Sequence, residues 1–116
     1  MVIVAVDDLM FASRISSTAK ALGVAIAFAR SPDAIIEAVR THAPRLVIFD
    51  LNSVKVRPLE AVALLKADAS LAAVPTLGFV SHVQADLIAE ARLAGIDQVM
   101  ARSAFVTQLP QLLQGS

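Results

Sequence analysis

The sequence predicts an α/β fold built on a five-stranded parallel sheet. Five short runs rich in apolar and β-branched residues alternate with stretches of helical period, which is typical of repeated β-α units. Hydrophobic residues also make up 57% of the chain and charged residues only 17%, as expected for strands covered on both faces. The predicted strands are Val2 to Val6, Val24 to Ala29, Leu46 to Asp50, Thr76 to Val80 and Gln98 to Ala101.

Length and composition exclude several classes of protein. The 116 residues suffice for one hydrophobic core, so residues 1–116 are expected to form a single domain. Ten basic residues balance ten acidic ones, and no overall charge favours nucleic acid or a membrane surface as partner. The absence of cysteine excludes disulfides, thiolate metal sites and a cysteine nucleophile. No signal peptide or membrane span is recognisable, so a soluble cytoplasmic protein is predicted.

The first two helices are delimited by residues that favour helix ends. A helix is predicted over residues 9–22, because apolar side chains recur there at helical spacing and Gly23 follows, where a left-handed C-cap is favoured. The second helix is expected to begin at Ser31 and Pro32, which suit an N-cap and a first turn. It is expected to end before Pro44.

The remaining helices follow the same logic. Pro58 opens the third helix, and Pro75 introduces the fourth strand. The fourth helix stops at Gly95. The tail from Ser103 to Leu113 has apolar residues at helical spacing, and Pro110 is expected to kink this helix or confine it to one side.

Acidic residues end two strands that are predicted to be neighbours. Asp7 and Asp8 follow the first strand and Asp50 ends the third, which right-handed crossovers place beside the first. The carboxyl ends of parallel strands form the functional crevice of such sheets. Carboxylates brought together there repel one another unless a cation joins them, and Mg²⁺ prefers oxygen ligands. The sequence therefore predicts a metal-competent acidic pocket; the simpler alternative is that Asp7 and Asp8 only cap the next helix.

Two segments resemble the receiver domain of response regulators. Val4-Ala5-Val6-Asp7-Asp8 is similar to the family's first-strand motif, and Leu46-Val47-Ile48-Phe49-Asp50-Leu51 is similar to its phosphoacceptor strand. The resemblance implies a doubly wound, CheY-like (flavodoxin-like) sheet of five strands in the order 2-1-3-4-5, with five helices. It also implies that Asp50 accepts phosphate from a histidine kinase. Asp7, Asp8, Asp50 and the main-chain carbonyl of Asn52 would then hold Mg²⁺.

The resemblance fails at the residues that read the phosphoryl group in that family. Val80 stands where the family has Thr or Ser, and Ser81 is one residue out of register. A one-residue offset in a strand is expected to aim the Ser81 hydroxyl away from the site unless a bulge turns it back. Arg102 occupies the lysine position, Val99 the aromatic switch position, and the loop after Asp50 lacks the family's proline and glycine pattern.

Arg102 has two interpretations. It is either an anion reader that binds a phosphoryl group in place of lysine, or one half of a standing ion pair with the acidic pocket; we favour the standing pair. Ser81 and His82 suggest a nucleophile beside a base, but adjacent residues rarely face one centre, so helix capping or solvation is the better interpretation.

The sequence therefore predicts a stand-alone receiver-like signalling module that acts through protein–protein contact. It is either phosphorylated at Asp50 by a histidine kinase or phosphotransfer protein, or it is a pseudo-receiver that works without phosphorylation. No enzymatic activity is expected beyond Mg²⁺-dependent self-phosphorylation at Asp50. The apolar region from Leu87 to Leu113 is a candidate face for a protein partner or a homodimer. The alternative is a flavodoxin-like ligand-binding protein or a metal-dependent phosphatase that uses the same crevice. A nucleotide or flavin site, however, needs a Gly-rich or Ser/Thr-rich loop after the first strand, where Asp7 and Asp8 stand instead.

Overall fold

Five parallel strands form the centre of the computed structural model, which describes residues 1–81 and 84–115. The strands are β1 (Val2–Ala5), β2 (Ile26–Phe28), β3 (Leu46–Asp50), β4 (Thr76–Val80) and β5 (Gln98–Ala101). The helices are α1 (Leu9–Leu22), α2 (Pro32–His42), α3 (Pro58–Ala67), α4 (Ala85–Ala94) and α5 (Arg102–Gln114). The sheet order is β2-β1-β3-β4-β5, so the predicted fold class and strand order are confirmed.

The hydrophobic core has two layers, one on each face of the sheet. Along β1, Ile3 and Ala5 belong to one layer and Val2 and Val4 to the other, as the alternation of side chains in a strand requires. The first layer packs against α2, α3 and α4 through Ile35, Val39, Ala61, Val62, Leu65 and Ala91. The second packs against α1 and α5 through Phe11, Ile15, Ala19, Phe105, Leu109 and Leu113. Both faces are thus covered, which explains the apolar composition.

Helix ends largely match the expected signals. The Ser31 hydroxyl accepts the Ala34 N–H at 3.2 Å at the start of α2, and Gly23 ends α1 with a φ of 71°. The Val24 N–H donates to the Ala19 carbonyl at 2.9 Å, so Val24 belongs to the end of α1. This explains why β2 is shorter than predicted.

Helix α5 runs through Pro110, so the expectation that this proline confines the helix to one side is wrong. Pro110 is an exposed position within the helix, and its missing N–H and ring clash cost about 3 kcal/mol in a helix interior. Buried Phe105, Leu109 and Leu113 pack against the sheet on both sides of the proline. We infer that these contacts offset the cost.

The register of the sheet brings the functional end of each strand to one edge. Ala5 pairs with Phe49, and Asp50 pairs with Phe79 in β4. Because all pairings are parallel, the residues that follow β1, β3, β4 and β5 lie along the same edge. Within the described ranges, no helix is long and apolar enough to cross a membrane.

Gly78 allows close packing directly beneath this edge. A Cβ placed on Gly78 would lie 2.8 Å from both Cγ and Cδ1 of Leu51, the residue that follows Asp50. Leu51 is buried in the layer that faces α3. The absence of a side chain at Gly78 therefore fixes how closely Leu51 approaches β4.

We expect Gly78→Ala to lower the free energy of unfolding by about 1–2 kcal/mol, because Leu51 would be overpacked. Urea unfolding would measure the change. In the presence of Leu51→Ala, which removes the atoms in conflict, the same substitution should cost less. Equal costs in the two backgrounds would contradict this account of the contact.

Candidate functional site

Asp50 is a buried acid at the carboxyl end of β3. Only 8% of the residue is exposed. It follows Phe49 and precedes Leu51, which both belong to the layer facing α2, α3 and α4, so alternation directs Asp50 toward the opposite face, with Ile48. Its Oδ1 accepts the main-chain N–H of Asn52 at 3.0 Å. Asp50 therefore lies where α1 and α5 begin.

Burial raises the pKa of the Asp50 carboxyl above its ordinary value. The Asn52 N–H and the positive charge of Arg102 oppose this rise, whereas the negative charges of Asp8 and Asp7 add to it. The pKa of Asp50 is therefore affected by Asp7, Asp8 and Arg102, the charged residues that the sequence predicts to lie near it.

Asp8 both caps α1 and faces the pocket. Its Oδ1 accepts the Phe11 N–H at 3.0 Å, as an N-cap side chain does. Its Oδ2 lies 3.8 Å from Nη2 of Arg102. The simpler interpretation of Asp8 as a helix cap is therefore correct for one oxygen, and the other oxygen remains available to the crevice.

Arg102 is held by an ion pair and by an aromatic ring. Besides the contact with Asp8, its guanidinium carbon lies 3.9 Å from the centroid of the Phe11 ring. Phe11 packs against Phe79 and Phe105 with centroid distances of 5.2 and 5.8 Å. Stacking on an aromatic face suits the planar guanidinium. The role of Phe11 beneath Arg102 had no signal in the sequence.

Asp7 forms a looser pair with Lys55. The Nζ of Lys55 and the Oδ1 of Asp7 are 3.9 Å apart, with 69% and 39% of the side chains exposed. Such exposed pairs contribute about 0–1 kcal/mol. Among residues 1–81 and 84–115, no group of three or more histidine, cysteine, aspartate or glutamate side chains is arranged to hold a metal ion.

Asn52 joins two loops through its side chain. Its Oδ1 accepts the Ser81 main-chain N–H at 2.7 Å, and its Nδ2 donates to Oε1 of Gln84. The two partners lie 29 and 32 residues further along the chain, so local sequence patterns give no sign of these side-chain contacts.

The end of β4 has no hydroxyl in the core. Val80 is buried in the layer that faces α2, α3 and α4, on the face of the sheet away from Asp50. Ser81 is exposed, lies just beyond the strand, and has its main-chain N–H bound by Asn52. The pairing suggested for Ser81 with His82 lies partly outside the described residues.

Comparisons with known proteins identify the fold. No family model matches the sequence, and no curated protein matches it. Solved structures do match. A response regulator in red light signalling from R. palustris is 17% identical with a TM-score of 0.80, covering 96% of this chain and 89% of that one.

Two further matches are equally extensive. A two-component response regulator from Legionella pneumophila is 16% identical with a TM-score of 0.78, covering 99% of this chain and 98% of that one. The receiver domain of a sensor histidine kinase from Pseudomonas aeruginosa PAO1, with a magnesium ion coordinated in its active site cleft, is 15% identical with a TM-score of 0.79. That alignment covers 99% of this chain and 97% of the other. The chain has the receiver-domain fold.

Replacing the buried charge of Asp50 should stabilise the protein in a pH-dependent manner. The ordinary pKa of aspartate is 3.8, and that of folded Asp50 is higher. Between these two values the folded state binds more protons than the unfolded state, so the Asp50 contribution to stability falls as the pH rises. Asp50→Asn should therefore increase the free energy of unfolding at pH 7. The gain should vanish below pH 3.8.

Urea unfolding of the two proteins at pH 7 and at about pH 3.5, below both values, would measure this difference. Asp33→Asn is a matched control, since Asp33 is an exposed acid in the first turn of α2. An equal gain from Asp50→Asn at both pH values would contradict the role assigned to burial.

Proposed function

We propose that this chain is a receiver-like signalling module that acts through contact with other proteins, and that Asp50 is its phosphoacceptor. The observation that carries the proposal is the buried Asp50 carboxylate at the carboxyl edge of a doubly wound sheet, within electrostatic reach of Asp7, Asp8 and Arg102. The receiver-domain fold of the matching structures supports it. A histidine kinase or a phosphotransfer protein would supply the phosphoryl group.

The chemistry requires a carboxylate that can attack phosphorus. One oxygen of Asp50 accepts the Asn52 N–H, which leaves the other oxygen as the nucleophile. Attack forms an acyl phosphate and breaks the bond from phosphorus to its donor; the leaving group departs with the electron pair and takes up a proton. Arg102 is the nearby positive charge that would offset the incoming phosphoryl group.

Mg²⁺ suits the donor types at this crevice, although the described carboxylates do not form a group already arranged to hold a metal ion. The available donors are the carboxylates of Asp7, Asp8 and Asp50 and the main-chain carbonyl of Asn52, all hard oxygens. Burial is the main cause of the raised pKa of Asp50, and the negative charges of Asp8 and Asp7 add to it. A divalent cation would relieve the repulsion between these acids. When bound, the ion would supply positive charge against the phosphoryl group. Lys55 and Arg102 lie beside two of these acids and would compete with it.

The switch of this module is atypical. Val80 offers no hydroxyl, and Arg102 is paired with Asp8 and stacked on Phe11. This arrangement supports the standing ion pair that the sequence favoured. The module would then hold one conformation without phosphate, and phosphorylation would have to compete with that pair.

The face formed by α4 and α5 is our candidate for a protein partner or a homodimer. Leu93 on α4 is 88% exposed, whereas the apolar side of α5 is turned inward through Phe105, Leu109 and Leu113. The apolar character predicted for this region therefore belongs mostly to the core. Leu93 is the part of it that a partner could cover.

Removal of the competing cation should tighten Mg²⁺ binding. We expect Arg102→Gln to lower the Kd for Mg²⁺ about two- to fivefold, because exposed ion pairs contribute about 0.2–1 kcal/mol. Isothermal titration calorimetry at constant ionic strength would measure the affinity. Arg92→Gln is a control with the same net charge, in the last turn of α4. Unchanged or weaker binding by Arg102→Gln would argue against competition at this site.

Phosphoryl chemistry at Asp50 can be probed with Mg²⁺ and beryllofluoride, which mimics an acyl phosphate. If Asp50 is the acceptor, the amide resonances of Phe49, Asp50 and Leu51 should shift in ¹H–¹⁵N spectra on titration. Asp50→Asn should abolish the shifts, while Asp33→Asn should retain them. No shift in the unmodified chain would indicate a pseudo-receiver that works without phosphorylation.

A further inference from the structure

Asn52 contacts three groups that belong to three different parts of the crevice. Its main-chain N–H donates to Asp50 Oδ1 at 3.0 Å. Its side-chain oxygen accepts the Ser81 N–H at 2.7 Å, at the end of β4. Its side-chain nitrogen donates to Gln84, the N-cap residue of α4. One residue therefore touches both the acid and the two described residues between β4 and α4.

The start of α4 has no capping side chain of its own, and its N-cap residue contacts Asn52. Gln84 makes no side-chain capping bond to α4. Its Oε1 accepts from Asn52 instead, so the side chain that could approach the free N–H groups of the helix is directed across the crevice. By contrast, α1 and α2 have capping side chains in Asp8 and Ser31. A movement of the Asn52 side chain would thus displace Gln84 and alter the start of α4.

The opposite end of the link is sensitive to charge. The bond from the Asn52 N–H to Asp50 is charge-assisted, because the acceptor is a carboxylate, and such bonds are about twice as strong as neutral ones. Neutralising Asp50, or attaching a group to it, weakens or reorients this bond. Because Asn52 donates this bond from its own main chain, we expect its position to respond to such a change.

We propose that Asn52 is the positioning residue that relays the chemical state of Asp50 to the end of β4 and the start of α4. This inference rests on the proposed function, because phosphorylation of Asp50 is the change of state that the relay would transmit. In receiver domains this signal is expected to pass through a hydroxyl at the end of β4. Val80 stands at that position, has no hydroxyl, and lies in the core on the other face of the sheet, so Asn52 would take over the role. The link runs through polar contacts above the sheet.

A double-mutant cycle read by NMR tests the relay without any phosphate. Asp50→Asn supplies the change of state, and the amide shifts that it causes at Ser81 and Ala85 are measured with and without Asn52→Ala. We expect Asn52→Ala to reduce these shifts at least about twofold, because the pathway between the sites is removed. Shifts of the same size in both backgrounds would overturn the proposal.

Two further variants separate the relay from general damage to the loop. Gln84→Ala breaks only the contact with α4, so the shift at Ala85 should fall while that at Ser81 persists. Ser53→Ala removes a hydroxyl that accepts the Val56 N–H within the same loop; it should leave both shifts intact. If Ser53→Ala abolished them as fully as Asn52→Ala, loop disruption would be the cause and the relay would be refuted.

Beryllofluoride separates failure of the relay from failure of the proposed function. No response at Phe49, Asp50 and Leu51 would refute phosphoryl chemistry at Asp50, while the double-mutant cycle would still decide the relay. A response there that reaches Ser81 and Ala85 equally with and without Asn52→Ala would refute the relay and leave the proposed function standing. A response at Ser81 and Ala85 that requires Asn52 would support both.

Discussion

The burial of Asp50 is the constraint on which the rest of the crevice depends. A carboxylate removed from water is costly unless hydrogen bonds and opposite charge compensate it, and Asp50 has both in the Asn52 N–H and in Arg102. Asp7 and Asp8 act in the opposite direction. Their contacts with Lys55 and Arg102 reduce the negative charge around Asp50. Two cations thus lie at this edge of the sheet, and Arg102 acts on Asp50 directly.

Arg102 links this charge balance to the hydrophobic core. Its guanidinium rests on Phe11, and Phe11 packs against Phe79, which is the register partner of Asp50. A lysine ammonium is compact and strongly hydrated, whereas a guanidinium is planar and more weakly hydrated. The guanidinium therefore gives up less hydration when it stacks against a ring. An arginine is therefore well suited to stacking on Phe11, and the position of Arg102 depends on packing as well as on charge.

Local patterns predicted the fold because buried strands and helix ends are local properties. Residues such as Gly23, Ser31 and Gly95 specify helix ends through their own backbone or side-chain chemistry, and the structure has helix ends at all three. Helix α5 passes Pro110 because tertiary packing outweighs local propensity. The same limit applies to the site: the sequence positions of the acids and Arg102 were informative, but the Asn52 side chain and the Phe11 ring gained their roles from contacts that only the folded chain creates.

The core beneath the crevice is packed more tightly than the loops above it. Beneath the crevice, Leu51 packs so closely over Gly78 that β3 and β4 cannot easily shift relative to each other. Above it, the contacts of Asn52 with Ser81 and Gln84 are exposed hydrogen bonds, each worth about 0.5–1.5 kcal/mol net. These hydrogen bonds are easier to break than the close packing of the core beneath them. On the proposed function, a signal at Asp50 would therefore move the start of α4 while the strands that carry the acids remain in place.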